Sequence, residues 1–172
     1  MRIFPKEQIR LHTGMSREAA ELLLHCIVDP KRPGFLGGLG RKPFWGWFDG
    51  TSFQITPSAM AGNSFVPWIA GRLSAGDGEA CLDMRMEPLD FVKAFMTAWQ
   101  LGLAVLAASG LVLMFISGSM KNGCLLSLTA AGMSGFGWGL LRVGFRIGAN
   151  RAKAELGRYF GPAARWEKTD GN

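Results

Sequence analysis

The sequence predicts an α+β membrane protein, in which an N-terminal helix and a small antiparallel β-meander of about four strands precede a two-helix transmembrane hairpin. Three observations support this fold class: two long uncharged stretches after position 90, a period-two alternation of apolar residues before it, and an Asp-Gly turn between aromatic runs. Apolar residues make up 48% of the 172 residues, an ordinary share for a globular chain, but they are concentrated in the second half.

The two uncharged stretches predict the membrane spans. Residues 94–119 carry no charge over about 26 positions, and a helix needs about 20 to cross the hydrocarbon core. Residues 122–141 form a second uncharged stretch of about 20 positions. The link between them is short and turn-rich, which favours antiparallel neighbours. We therefore predict spans at about 94–117 and 123–145 within a hairpin of residues 89–149.

The distribution of basic residues predicts the orientation of the hairpin. The connecting loop holds only Lys121, whereas five bases follow the second span, namely Arg142, Arg146, Arg151, Lys153 and Arg158. The positive-inside rule then places both termini in the cytoplasm. The N-terminus has bases but no apolar core of a signal peptide, which agrees with this topology. We predict a multi-pass protein of the cell inner membrane with a basic cytoplasmic tail of residues 150–172, in which Trp166 rests on the membrane surface.

Four basic side chains are candidates for contact with lipid headgroups: Lys93, Arg142, Arg146 and Arg151. A net charge of +6 and a pI near 9.7 can indicate a nucleic-acid partner. Because several of the bases flank the predicted spans, the predicted partner is instead the lipid bilayer, with no nucleic acid. Arg142 and Arg146 share one helix face, and lining a pore mouth is the alternative role for them.

Gly135 and Gly139 form a GxxxG pattern in the second span and are candidates for close helix packing. Ser127 and Ala131 extend the stripe of small residues at the same spacing. The packing partner is either the first span, whose small residues could face the stripe, or a second copy of the chain. The pattern leaves both alternatives open.

The N-terminal half opens with a predicted helix. Ser16 can cap a helix of about residues 17–28, which Pro30 and Pro33 would end. Residues 33–42 are rich in glycine and form a predicted linker.

The chain then changes to a period of two, which is typical of strands. Asp49-Gly50 is a strong hairpin signal between two aromatic-rich runs. The predicted strands lie at 44–48, 52–56, 64–74 and 79–87. Residues 1–88 are therefore predicted to form a cytoplasmic α+β domain, with the helix covering the apolar face of the sheet.

The run FWGWFDGTSFQITPSAMAGNSFVPWIAGRL, followed by EACLDMRMEPLDFVKAFMTAW, resembles a widespread family of uncharacterised small bacterial membrane proteins. The shared pattern is an aromatic-Gly hairpin, an Asn-Ser-Phe-x-Pro strand, a polar strand that ends before a proline, and two membrane helices. The matching residues are Gly46, Phe53, Ile55, Asn63, Ser64, Phe65, Pro67, Gly71 and Pro88. The resemblance covers roughly residues 44–118. It implies the fold and the membrane location, and it implies no activity.

The residues with chemical potential form no recognisable motif. Cys26, Cys81 and Cys124 are far apart and without a CxxC pair or Cys/His ligand spacing, so each is predicted to be a small apolar filler rather than a zinc ligand. His25 and Cys26 are adjacent on the predicted helix and therefore cannot face each other as a nucleophile pair. The sequence accordingly predicts no metal, cofactor or catalytic residues, and it leaves enzymatic activity uncertain.

These observations favour a membrane-anchored cytoplasmic module that binds a protein partner or an inner-leaflet lipid. The alternative is a self-associating small membrane assembly, such as a pore or a transporter accessory. Two spans cannot enclose a pathway alone, so the alternative requires a homo-oligomer.

Overall fold

A computed structural model describes residues 4–30, 42–58, 66–76, 78–117 and 120–169. Its elements, in chain order, are β1 (Glu7–His12), α1 (Arg17–Ile27), β2 (Val28–Asp29), β3 (Phe44–Phe48), β4 (Ser52–Pro57), β5 (Pro67–Ala75), β6 (Ala80–Pro88), α2 (Asp90–Ser117), α3 (Met120–Phe160) and β7 (Arg165–Lys168). The chain divides into two compact units. The sheet unit comprises Met1–Leu89 and Phe145–Asn172, and the helix-pair unit comprises Asp90–Gly144.

The sheet unit is built on one seven-stranded sheet in the order β2-β3-β4-β5-β6-β1-β7. Only the short β2–β3 pair is parallel, and every other neighbouring pair is antiparallel. Strand β1 pairs with β6 from Glu7 opposite Met86 to His12 opposite Cys81. The other edge of β1 pairs with β7, with Leu11 opposite Trp166. The two ends of the chain therefore meet in the sheet.

In the part of the chain that the structure describes, helices cover one face of this sheet. Strand residues at alternate positions, such as Leu11 and Leu82, are fully buried in a core with Leu24 of α1. The last turns of α3 complete this core with five buried residues at helical spacing: Phe145, Ala149, Ala152, Leu156 and Phe160. The core is thus a two-layer arrangement, with α1 and the end of α3 packed against one side of the sheet.

Local hydrogen bonds explain where α1 begins and ends. The Ser16 hydroxyl accepts a hydrogen bond from the backbone N–H of Ala19 at 3.3 Å, as an N-cap residue does. At the other end, the Lys42 ammonium donates to the carbonyl oxygens of His25 at 2.6 Å and Val28 at 2.9 Å. A lysine at this end satisfies carbonyls that lack a partner within the helix.

The β3–β4 hairpin turns at Asp49 and Gly50. The Asp49 carboxylate accepts hydrogen bonds from the backbone N–H groups of Ser52 at 2.7 Å and Thr51 at 2.9 Å. Both hydrogen bonds hold the pKa of Asp49 below its ordinary value of 3.8, and the bond from Ser52 has the larger effect. Gly50 has a φ of +91°, a conformation that glycine adopts without steric cost.

Gly71 is required by close packing inside the sheet. It lies opposite Phe53, and a Cβ atom at this position would come within 2.6 Å of the Asp83 carbonyl oxygen and would also meet the Phe53 ring. The absence of a side chain on Gly71 therefore lets the Phe53 ring pack across the neighbouring strand.

The helix-pair unit has a polar contact between its two helices. The Ser134 hydroxyl donates to Gln100 Oε1 at 2.6 Å, and the Ser127 hydroxyl donates to the Ala107 carbonyl oxygen at 3.2 Å. Close approach occurs at Gly110, where a Cβ atom would lie 2.6 Å from the Ser127 hydroxyl oxygen. Within the described residues, α2 and α3 are the helices long and apolar enough to cross a membrane, and only 11% of the most apolar window of each is buried.

The predicted arrangement of the N-terminal half is wrong. The helix α1 is not the first element, because β1 precedes it, and the sheet has seven strands rather than a four-stranded antiparallel meander. Three of the seven strands were not predicted, namely β1, β2 and β7, which are six, two and four residues long. Such short strands depend on pairing with distant segments, and local patterns do not report that pairing.

The structure also divides the chain differently from the predicted boundaries at 88 and 149. Residues after Gly144 belong to the sheet unit, so residues 150–172 are not a separate tail. Helix α3 continues through Gly157 and ends at Phe160, directly before Gly161, whose φ is +81°. Trp166 lies on β7 opposite Leu11, and its contact with the membrane surface stays a prediction. The predicted linker at 33–42 falls almost entirely outside the described residues, as does the start of the strand predicted at 64–74.

We predict that Leu156→Ala destabilises the sheet unit by about 2–5 kcal/mol, because it leaves a cavity in a fully buried position. The measurement is urea unfolding of the full-length protein followed by tryptophan fluorescence. Arg158→Ala, an exposed position on the same turn, is the matched control and should change stability by less than about 0.5 kcal/mol. Equal effects of the two substitutions would mean that the end of α3 is not part of the core.

We also predict that Asp49→Ala lowers the thermal midpoint at pH 7 and that this difference shrinks as the pH falls. The folded pKa of Asp49 lies below its unfolded value, so its stabilisation is present above the unfolded pKa and is lost as the pH falls through the folded pKa. Melting curves at pH 7 and near pH 3 test this. Asp49→Asn, which keeps the acceptor but not the charge, separates the two contributions, and a pH-independent difference for Asp49→Ala would contradict the prediction.

Candidate functional site on the polar face of the sheet

The face of the sheet opposite the helices carries polar side chains. In β6, Asp83, Arg85 and Glu87 alternate with the buried core residues. Because residues paired across antiparallel strands point to the same face, Arg10 of β1 and Arg72 of β5 lie beside Asp83. The alternation that fills the core thus also assembles a continuous polar surface, which we call the polar face.

An open groove of about 620 Å³ runs along the polar face. Its polar lining residues include Gln8, Ser52, Gln54, Arg72, Ser74, Asp83 and Arg85. One wall holds the half-exposed Trp47 indole, whose Nε1–H donates to Gln54 Oε1 at 2.8 Å. Hydrogen-bonding side chains next to an aromatic ring are typical of surfaces that bind other proteins.

Ion pairs organise the charges of the polar face. The Arg10 guanidinium donates to Asp83 Oδ1 at 2.6 Å, and Arg85 pairs with Glu87. The hydrogen bond that Arg10 donates to Asp83 raises the pKa of Arg10 above its ordinary value, and the negative charge of Asp83 adds to the effect. The Arg10 and Asp83 side chains are each about two-fifths exposed, so the ion pair adds little to the stability of the fold. Its main effect is to hold the two charged groups in fixed positions on the polar face.

At the corner of the polar face, one histidine lies among three potential anions. His12 Nδ1 is 2.8 Å from Glu79 Oε1 and 3.5 Å from Cys81 Sγ. His12 Nε2 is 3.1 Å from Glu167 Oε2. One donor atom each of His12, Glu79 and Cys81 lies within 4.8 Å of the other two, and this group could hold a metal ion. We call His12, Glu79, Cys81 and Glu167 the His12 cluster.

Backbone hydrogen bonds position the His12 cluster. The N–H of Thr13 donates to the Ala80 carbonyl at 3.0 Å, and the Thr13 hydroxyl donates to the same oxygen at 2.8 Å. Glu79 is held from the other side, because the Gly14 N–H donates to its Oε2 at 3.1 Å. A Cβ atom at Gly76 would lie 2.9 Å from Cys81 Sγ, so glycine makes room for the thiol. The end of β1 and the β5–β6 turn thus form a fixed frame.

The electrostatics of the cluster favour positive charge on the histidine. The hydrogen bond with Glu167, followed by that with Glu79, raises the pKa of His12 above its ordinary value. A cation at this position, whether a proton or a metal ion, therefore has carboxylate partners on both sides of the ring.

The basic residues predicted for lipid contact do not form one cluster. The Lys93 ammonium is 2.9 Å from the carboxylate of Asp90, one turn earlier in α2. Arg142, Arg146 and Arg151 are exposed along α3. Their contact with lipid headgroups stays a prediction.

Gly135 and Gly139 do not mediate the packing of α3 against α2. A Cβ atom at either position would meet nothing within 4 Å, whereas one at Gly110 or Gly137 would contact the opposite helix. Although Ser127 of the same stripe contacts α2, the alternative in which Gly135 and Gly139 pack against the first span is not supported. Their use between copies of the chain stays a prediction.

Sequence reasoning missed the His12 cluster and treated Cys81 as an apolar filler. His12 is separated by 67 residues from Glu79 and by 69 from Cys81, so no short-range ligand spacing exists. The available signal was the alternation Gln8-Ile9-Arg10-Leu11-His12, which is the pattern of a strand. Recognition of this strand would have placed His12 on the polar side, but not beside Cys81.

A comparison with protein-family models found no match, and searches of curated proteins and of solved structures found none. The resemblance to small bacterial membrane proteins therefore stays a prediction.

Proposed function

We propose that this chain is a membrane-anchored cytoplasmic module that uses the groove on the polar face to bind a segment of a protein partner. The observation that carries the proposal is the one-sided burial of the sheet among the described residues: helices cover its apolar face, and the other face carries an open groove whose lining includes charged and polar side chains. The proposed location is the inner membrane of a bacterium, with both termini in the cytoplasm.

The surface of the helix pair supports the membrane anchor. In a soluble protein, helices as apolar as α2 and α3 are usually buried in a core. Here large apolar side chains point outward, and Phe91, Phe115, Ile116, Leu128 and Phe136 are each at least 70% exposed. A lipid bilayer is the solvent that accepts such a surface without cost. The positive-inside distribution of basic residues then supports cytoplasmic termini.

The charge pattern of the groove favours a protein over an anionic lipid as the ligand. Arg10 and Arg85 are already paired with carboxylates of β6, so the groove alternates positive and negative groups rather than presenting a uniformly basic surface. Anionic lipid headgroups are recognised by clusters of Lys and Arg. Alternating charges, glutamines and the Trp47 indole instead complement a polypeptide with mixed charge.

We predict that Lys121→Cys, in a chain without its native cysteines, reacts with a membrane-impermeant maleimide in intact spheroplasts. The same reagent should label a chain that keeps only Cys26, an exposed residue of α1, after permeabilisation alone. The reason is that the hairpin loop lies outside and residues 1–89 lie inside in the proposed topology. Labelling of Cys26 in intact spheroplasts would contradict the cytoplasmic location.

We predict that a photo-reactive residue at Ala70, on the floor of the groove, forms a discrete adduct with a partner protein in cells. Arg72→Glu should reduce this adduct about tenfold, because reversal of one charge at a complementary interface costs on the order of 1.4 kcal/mol or more. The readout is the mass and yield of the adduct by immunoblot and mass spectrometry.

The matched control is the photo-reactive residue at Arg17, which is exposed on α1 on the opposite side of the sheet. It should give no adduct of the same mass, and Arg17→Glu should leave the Ala70 adduct unchanged. Adducts with lipid alone, or the same adduct from both positions, would overturn the proposal of a protein ligand.

A further inference from the structure

We propose that the His12 cluster is a binding site for a transition-metal dication, with Zn²⁺ as the best match. His12 Nδ1, Cys81 Sγ and one carboxylate oxygen of Glu79 would be the three protein ligands, and a water molecule or a small anion would take the fourth position. This inference does not depend on the proposed function, because it concerns a different corner of the sheet and makes no use of the groove.

The distances within the cluster suit a tetrahedral ion. At Zn–N and Zn–O distances near 2.0 Å and a Zn–S distance near 2.3 Å, neighbouring donor atoms are roughly 3.3–3.7 Å apart. The 3.5 Å between His12 Nδ1 and Cys81 Sγ lies in this range. The 2.8 Å between His12 Nδ1 and Glu79 Oε1 must open by about half an ångström, which a small rotation of the partly exposed Glu79 side chain allows.

The identity of the donors selects the class of metal. A thiolate with an imidazole excludes the hard ions Mg²⁺ and Ca²⁺, which take oxygen ligands. One sulfur, one nitrogen and one carboxylate oxygen form a three-ligand set of the kind that leaves one coordination position open on Zn²⁺. Cys81 is 6% exposed, while the His12 and Glu79 side chains are about one-third exposed. The ion would therefore be coordinated by a buried sulfur on one side and be accessible to solvent on the other.

The surroundings of the cluster supply the supporting contacts of a metal site. When Nδ1 of a histidine binds a metal, its Nε2–H commonly donates to a carboxylate, which fixes the ring and raises its basicity. Glu167 of β7 lies 3.1 Å from His12 Nε2 and is placed for this role. The Gly14 N–H similarly holds the second oxygen of Glu79. Each of the two partly exposed ligands thus has a partner outside the coordination sphere.

The test uses the full-length protein in detergent, freed of metal with a chelator, kept reduced with a phosphine, and titrated with Co²⁺ as a spectroscopic substitute for Zn²⁺. We expect one Co²⁺ per chain, a thiolate-to-cobalt charge-transfer band in the near ultraviolet, and loss of the band when Zn²⁺ is added. Cys81→Ser should abolish the band. Glu167→Gln should weaken binding about 10–100-fold without loss of the band, because it acts through His12.

The chain offers a matched control in the adjacent pair His25 and Cys26 of α1. Cys26→Ser and His25→Gln should each leave the band and the affinity unchanged. The proposal is overturned if Co²⁺ does not bind stoichiometrically, if the band survives Cys81→Ser, or if Cys26→Ser removes it as well. Should circular dichroism show that Cys81→Ser is unfolded, Glu79→Gln in the exposed turn decides, and an unchanged affinity there also overturns the site.

Discussion

The structure of the sheet unit depends on one constraint, which is the need to cover the apolar face of a seven-stranded sheet. With strands about 4.8 Å apart, such a sheet is roughly 29 Å wide, whereas a helix is about 10 Å across. The helix α1, with 11 residues, cannot bury that face alone. The end of α3 supplies the missing cover through Phe145, Leu156 and Phe160. The chain therefore has to return to the sheet after the two apolar helices, and β7 completes this return.

The same constraint leaves the opposite face of the sheet without a helix among the described residues. Since α1 and the end of α3 both pack on the apolar side, the side chains at the other positions of each strand form a polar surface. Pairing of Arg10 with Asp83 keeps these charges fixed without the desolvation cost that a buried ion pair would carry. A fixed and hydrated charge pattern favours specificity in recognition more than stability of the fold. This is the physical basis of the proposal that the polar face binds a partner.

Local signals in the sequence located the elements that depend on short-range interactions. Ser16 precedes α1, and Asp49-Gly50 joins β3 to β4, because caps and turns are determined by a few neighbouring residues. Edge strand β7 could not be found in this way, since its four residues are all exposed and only its pairing with β1 defines it. The length of α3 was underestimated for a related reason. A glycine inside a helix costs about 1 kcal/mol, and burial of Phe160 beyond Gly157 more than offsets this cost.

The His12 cluster could not be predicted from the sequence, because its residues are brought together by the register of the strands. His12 and Cys81 are opposite each other in the β1–β6 pair, and a shift of one residue would turn one of them into the core. Glu167 reaches His12 only because β7 follows α3 back to β1. An ion bound by His12, Glu79 and Cys81 would thus join the end of β1 to the β5–β6 turn and, through Glu167, to β7. A ligand that binds only this assembled arrangement stabilises it by mass action. Occupancy of the site and the assembly of β1, β7 and the β5–β6 turn would therefore be thermodynamically linked.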